Sequence, residues 1–223
     1  MLCVDHLYKR FAAGRGVVAA LTDINCRVAA GTGLVLAGRS GSGKTTLLNC
    51  IGTLEQPDAG TITFNGVSIG DLNASQRSAF RREHIGFVFQ SGNLIPWLTV
   101  RENLLMPLEM NGVSRQKSLE RVSELLAMFG MMGYDTALPA ELSGGEAQRV
   151  AFARAIAHTP SLVLADEPTA SLDSVNGSTL IREMFSLCQS QGTTLVLATH
   201  DTDLIAMAER VLWLKDGQMV TEG

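Results

Sequence analysis

Eight consecutive residues, Gly38-Arg-Ser-Gly-Ser-Gly-Lys-Thr45, carry the strongest chemical signal in the sequence. They fit the spacing G-x-x-x-x-G-K-[ST], and phosphate chemistry accounts for each fixed position. The glycines let the backbone curl until successive N–H groups point inward at an anion. A helix opening straight after the loop adds the partial positive charge of its N-terminus. Lys44 brings a full charge to the β- and γ-phosphates, and the Thr45 hydroxyl is placed to ligate magnesium (Mg2+). Gly38, Ser40, Gly41, Ser42, Gly43, Lys44, Thr45 and Thr46 are therefore the candidate contacts for a nucleotide, read as ATP. Thr45 is also a candidate metal ligand.

The run Leu162-Val-Leu-Ala-Asp-Glu-Pro168 places two carboxylates at the end of an apolar strand. Asp166 can hold magnesium, directly or through water. Glu167 can accept a proton from an attacking water. Such a pair also makes a plain turn, but the glycine loop upstream favours the chemical reading. In Leu142-Ser-Gly-Gly-Glu-Ala-Gln-Arg149, Ser143 reads as an N-cap with Glu146 at capping-box spacing. This is either a well-capped helix or a second anion site, built from the Ser143 hydroxyl and the Gly144 and Gly145 N–H groups; spacing does not choose between them. Gln90 follows the apolar run Ile85 to Phe89, and His200 follows Leu195 to Thr199, so both fall at strand ends on the edge that carries the glycine loop. Phe11 can stack on a base or pack in the core.

These residues need a scaffold that brings strand ends together. Residues 1 to 30 alternate apolar and polar positions around turn signals and predict antiparallel strands. Thr32 to Ala37 predicts a buried strand running into the glycine loop, followed by a helix over Lys44 to Ile51. A strand closed by the turn Asn65-Gly66 covers Thr61 to Asn65. From about Thr99 to Gly130, Leu104, Leu105, Leu108, Leu119, Val122, Leu125, Leu126 and Phe129 repeat at helical spacing. A further helix covers Gly145 to Ala157. Strands at Leu162 to Ala165, Leu195 to Thr199 and Val211 to Leu214 alternate with helices at about Val175 to Gln189 and Thr202 to Ala208. Strand alternating with helix predicts an α/β fold with a parallel sheet covered by helices on both faces. A β-subdomain occupies its N-terminal part and a helical insert its middle. In residue terms, about 1–90 and 159–223 form the core with the β-subdomain, and about 91–158 the helical subdomain, all within one domain.

Composition limits what such a scaffold does. With 18 basic and 22 acidic residues the formal net charge is −4, which gives no general attraction for nucleic acid, and none is expected as a partner. Cys3, Cys26, Cys50 and Cys188 lie far apart with no metal spacing and read as reduced thiols. The first residues lack the pattern of a signal peptide, and no apolar run reaches the roughly 18 to 20 residues a membrane span needs. The chain is expected to be soluble, so any work at a membrane needs another subunit to span it.

Taken together, these motifs resemble the nucleotide-binding subunit of ATP-binding cassette (ABC) transporters over essentially the whole chain. Gly38 to Thr45 is similar to the family's Walker A and Leu162 to Asp166 to its Walker B. Leu142 to Glu146 is similar to its signature motif, Gln90 to its Q-loop, Ala170 to Asp173 to its D-loop and His200 to its switch histidine. Lys9-Arg-Phe11 resembles the segment whose aromatic residue stacks on adenine, with phenylalanine where tyrosine is commoner. The resemblance implies a P-loop NTPase (RecA-like) core with an N-terminal antiparallel β-subdomain and an inserted α-helical subdomain. It implies that Glu167 polarises the attacking water, that His200 contacts the γ-phosphate, and that Gln90 links magnesium to a membrane partner. It implies that Ser143, Gly144, Gly145 and Asp173 serve an ATP shared with a second copy of the chain, in a sandwich homodimer. An integral membrane permease subunit is the further partner implied, with the chain cytoplasmic and peripheral on the inner face of the membrane. LSGGE in place of LSGGQ, and the stretch Asn93 to Pro107, resemble the subgroup of lipoprotein-release (LolD-type), macrolide-export (MacB-type) and cell-division (FtsE-type) ATPases. That subgroup implies export or lipid and lipoprotein extrusion, or else mechanical regulation of a membrane complex with no transported substrate.

Overall fold

The computed structural model of the chain describes residues 1–14, 16–170, 172 and 174–221. In chain order, β1 (Leu2–Ala13) and β2 (Gly16–Val28) form a long antiparallel pair, and β3 (Gly33–Ala37) runs into the glycine loop and α1 (Lys44–Ile51). Next come β4 (Ala59–Phe64), β5 (Val67–Ser68), α2 (Ala74–His84) and β6 (Ile85–Val88). The helical stretch holds α3 (Val100–Met110), α4 (Arg115–Met128) and α5 (Gly144–Ile156). The chain then alternates through β7 (Leu162–Asp166), α6 (Ser174–Ser190), β8 (Thr194–Thr199), α7 (Thr202–Ala206), β9 (Val211–Lys215) and β10 (Gln218–Val220).

The strands form two sheets, one antiparallel in the order β2-β1-β4-β5 and one in the order β10-β9-β3-β8-β7-β6. In the second, β9, β3, β8, β7 and β6 run parallel, and β10 adds an antiparallel edge. Parallel strands are buried on both faces, which is why these segments read as continuous apolar runs. Their side chains alternate between two cores. Val35, Val163, Ala165, Leu195 and Leu197 join one apolar cluster with α3, α4, α5 and α6. Leu34, Leu36, Leu162, Leu164, Val196 and Ala198 join another with α1 and the inner face of β1, β2 and β4. Register fixes where the strands end: Ala37 lies opposite Thr199, and Asp166 opposite Ala198. Gly38, Glu167 and His200 therefore leave the sheet at one edge.

The helix over Ala74–His84 has no counterpart in the sequence reading. Phe80 is its one buried residue, so it offers no apolar period to detect, although Asn73 and Gln76 close a capping box at its start. The spacing also counts Leu119 among the apolar positions of the insert, whereas it is 40% exposed. The four cysteines are free, and burial pushes the Cys26 thiol up to about 11 and those of Cys50 and Cys188 to about 12. These three stay protonated at neutral pH and act as small apolar groups.

Gly86 in β6 lets α5 lie against the sheet: a Cβ there would stand 2.1 Å from the Ala155 carbonyl oxygen. Backbone cannot yield as a flexible side chain does. Gly86→Ala is expected to destabilise the fold by about 2 kcal/mol, read as an unchanged m-value with a lower midpoint in denaturant unfolding.

Candidate functional site

The glycine loop is shaped by crowding from its neighbours. Gly38 has φ 153, and a Cβ there would lie 2.3 Å from the Leu214 carbonyl oxygen; Gly43 has φ 107, and a Cβ would lie 2.6 Å from that of Ala20. Only glycine meets both constraints. The turn between β9 and β10 closes over the loop, with the Gly217 N–H donating to Ser42 O at 3.0 Å and the Thr22 N–H to Gly217 O at 2.7 Å. Gly43 caps α1 without a side-chain hydrogen bond, and the first turn carries no acidic residue. The start of α1 is thus left open to an anion.

A polar cleft of about 590 Å³ lies over this loop. Of the residues singled out in the sequence, Ser40, Gly41, Gly43, Lys44, Thr45 and Thr46 line it from the loop and α1, and Gln90, Asp166, Glu167 and His200 line it from strand ends. Gly38 and Ser42 are not part of the lining, and among the described residues the buried Ser42 hydroxyl has no hydrogen-bond partner. Asp216 and Gly217 line the cleft too, as do Val18 to Ala20 of β2. Sequence reasoning did not single these out, because Asp-Gly signals only a turn and a Val-Ala run only a strand. A second cavity, of about 260 Å³ and lined by Gly33, Phe185 and Met207, is the more apolar of the two and holds none of the candidate residues.

Lys44 is buried at 6% exposure, and its ammonium meets Gly38 O at 2.6 Å, Arg39 O at 3.2 Å and Glu167 Oε1 at 3.4 Å. These partners match the three donors of the group. The same Glu167 oxygen lies 2.9 Å from His200 Nδ1. Glu167 itself takes a left-handed backbone, φ 46, held by its N–H bond to Ala198 O at 2.9 Å. A non-glycine residue pays about 1 kcal/mol or more for that conformation, which turns its side chain out of the strand direction. Beside it, burial pushes the Asp166 carboxyl up from the ordinary range, against the opposing pull of the Thr45 hydroxyl and Lys44. Among the described residues, the buried Asp166 Oδ1 has no hydrogen-bond partner. That orphaned oxygen, the Thr45 hydroxyl and the Gln90 amide form a set of hard oxygen donors that fits magnesium. Among the described residues no cluster of three or more His, Cys, Asp or Glu could hold a metal ion.

Ser143, Gly144 and Gly145 do not reach this cleft. They line a separate concavity of about 360 Å³ with Arg149, Leu172 and Asn176. The capping box is complete: Glu146 Oε2 accepts from both the Ser143 N–H and its hydroxyl, each at 2.7 Å. The Ser143 hydroxyl, with Tyr134 behind it, holds the Glu146 carboxyl below its ordinary range. Phe11 lies outside the cleft lining, 38% exposed, opposite Val18 in the β1–β2 register and with Lys9 Nζ 5.0 Å from its ring centroid. Asp173 and Ser171 lie outside the described residues.

Known proteins share this arrangement. The family described as ABC transporter matches residues 21–170. The lipoprotein-releasing system ATP-binding protein LolD 1 of Rhodopirellula baltica is 41% identical over 223 residues, covering 100% of this chain and 97% of that protein. The macrolide export ATP-binding/permease protein MacB of Syntrophobacter fumaroxidans is 41% identical over 98% of this chain, which spans 31% of that longer protein. Among solved structures, the dimeric post-hydrolysis state of the ATP-binding cassette MJ0796 bound to ADP and Pi matches with a TM-score of 0.92 at 36% identity, over 100% of this chain and 98% of that one. A glycine loop at the end of a parallel strand, two carboxylates and a histidine converging on it, and likeness along the whole length lead to one conclusion: this chain belongs to the ABC transporter family, as one of its ATP-binding, ATP-hydrolysing cassettes.

Proposed function

We propose that two copies of this chain close over two ATP molecules and that hydrolysis drives an integral membrane permease partner, in export or in lipid or lipoprotein extrusion. The observation that carries this reading is the separation of the two anion-binding segments. Lys44 and Thr45 line one cleft, and Ser143 to Gly145 line another with no shared residue. A chain holding both halves of a phosphate site on different surfaces completes the site by pairing with a copy of itself. The dimeric state of the related cassette supports this pairing. The relatives concerned with lipoprotein release and macrolide export support a permease partner and an outward direction. Among the described residues no helix is long and apolar enough to cross a membrane, so the permease would supply the span and hold the cassette at its cytoplasmic face.

The resting contacts suggest the order of events. An arriving γ-phosphate replaces Glu167 as the partner of Lys44. That exchange releases the carboxylate to polarise a water, which it cannot do while neutralised by the ammonium. His200, already 2.9 Å from Glu167, then lies beside both the water and the γ-phosphate. Thr45, Asp166 and Gln90 would hold magnesium, which when bound neutralises charge on the β- and γ-phosphate oxygens. The backbone of the glycine loop cradles the phosphates, and Phe11, at the end of β1 nearest Val18, stacks on adenine. Ser143, Gly144 and Gly145 of the second copy donate hydrogen bonds from the opposite side, and Asp173 serves the shared face.

Two measurements test this reading. With ATP, Glu167→Gln is expected to elute from gel filtration as a dimer that turns over at least about a hundredfold more slowly, since general-base catalysis contributes 10²–10⁴. Adding Ser143→Arg should return it to a monomer that still binds ATP; loss of ATP binding by that monomer would place Ser143 in its own chain's site and overturn the pairing. The second concerns Asp166. Its raised pKa means the neutral form suits the fold, so its contribution is full below the unfolded value and is lost as pH rises through the folded value. Asp166→Asn is expected to melt above the parent at neutral pH without nucleotide, by a margin that shrinks toward pH 4. The same change should weaken magnesium-dependent ATP binding by about tenfold or more.

A further inference from the structure

The backbone on both sides of Gln90 is gripped by two side chains of one helix, one buried and one half-buried. Gln148 of α5, 1% exposed, donates from Nε2 to Phe89 O at 3.1 Å. Arg154 of the same helix donates from Nη1 to Asn93 O at 2.8 Å and from Nη2 to Gly92 O at 3.0 Å. Gly92 and Asn93 are both in the left-handed region, φ 70 and 47, so the turn presents two successive carbonyls to one guanidinium. Among the described residues no carboxylate pairs with Arg154. A half-buried charge without a counter-ion carries a desolvation cost, and simple packing would be served as well by a hydrophobic side chain. What the arginine adds is a planar fork that reaches two carbonyls at fixed geometry, which a lysine cannot reproduce. Helix α5 begins at Ser143, its N-cap.

We propose that Arg154, assisted by Gln148, is the positioning residue that sets Gln90 in the nucleotide cleft and joins the Gln90 turn to the signature helix as one rigid unit. This rests on the reading of Gln90 as a magnesium-side group. Gln90 lies in a turn two residues beyond the end of β6 and is exposed, so the strand alone does not hold it. The hydrogen bonds to Phe89, Gly92 and Asn93 hold it from both sides. A displacement of the Ser143 end of α5 is then carried to Gln90 in the same chain, which links the two phosphate-facing surfaces of one subunit.

The test is equilibrium binding of ATP to the full chain, with and without magnesium, by displacement of a fluorescent ATP analogue. The parent is compared with Gln90→Ala, Arg154→Met, Arg154→Lys and Gln148→Leu, each first shown to be folded by thermal melting. Affinity without magnesium is expected to move less than about twofold in the Arg154 and Gln148 variants, because the glycine loop is untouched. The gain in affinity from magnesium is expected to fall by about tenfold in Arg154→Met and in Gln90→Ala alike, with Arg154→Lys between Arg154→Met and the parent. A full magnesium gain in Arg154→Met, with the gain lost in Gln90→Ala, overturns the positioning role and leaves the Gln90 reading standing. A full gain in Gln90→Ala removes that reading and the inference with it. If Arg154→Met does not fold, Arg154→Lys and Gln148→Leu decide: full gain in both overturns the inference, and a reduced gain in both supports it.

Discussion

The site is organised by one buried charge. The Lys44 ammonium sits at 6% exposure and must be surrounded by acceptors, because an unpaired buried charge costs several kcal/mol. Two of its acceptors are carbonyls of the glycine loop and the third is Glu167, which stands on a different strand. That pairing demands that β3 and β7 end at one level on either side of β8. The strand registers deliver this, and the left-handed turn at Glu167 aims its side chain back toward the loop. Without nucleotide, the ammonium and the carboxylate satisfy each other. In the function proposed above, a phosphate would enter by exchange, and the group that holds the proposed base in check would be the same group that recognises the substrate.

The two helix starts singled out in the sequence differ in kind. The start of α1 is capped by a glycine, with no side chain competing for its N–H groups, and it opens into a cleft crowded by β2 and the Asp216-Gly217 turn. The start of α5 is closed by a capping box between Ser143 and Glu146 and faces the other way, toward α6. Between them runs the 89–99 segment. Arg154 and Gln148 hold its first part, and the fully buried Asn103 holds its second through hydrogen bonds to Ile95, Leu98 and Thr99. Trp97, 77% exposed, stands on this braced segment.

Most of this was legible in the sequence where chemistry dictates spacing. Phosphate geometry requires the glycines and Lys44, so the loop could be read residue by residue, and the buried parallel strands announced themselves as short apolar runs. The helix over Ala74–His84 escaped because it buries only Phe80 and leaves no periodicity. Spacing left Ser143 to Gly145 open between cap and anion site, and the resemblance to the ABC family implied that such a site would serve an ATP shared with a second copy. The structure shows that the segment is a complete cap and that it stands apart from the Lys44 cleft. Gln148 and Arg154 were illegible for a different reason. A polar residue on an amphipathic helix reads as solvent-facing, and only the fold reveals that these two turn inward to bond a backbone some sixty residues away.

The capping box at Ser143 bears on selectivity. Glu146 places a carboxylate on the Ser143 hydroxyl and N–H from within the same turn of helix. Any anion that docks there must compete with this tethered rival, whose local concentration is of the order of millimolar or above. Dissolved phosphate arrives with no such advantage and loses the contest. A phosphate fixed on an opposing rigid surface is delivered at a comparable local concentration, and it can win. In the proposed dimer, the acidic residue at the third position of the helix would thus act as a filter on the way a phosphate is presented, admitting groups that come attached to a complementary face over those that come free.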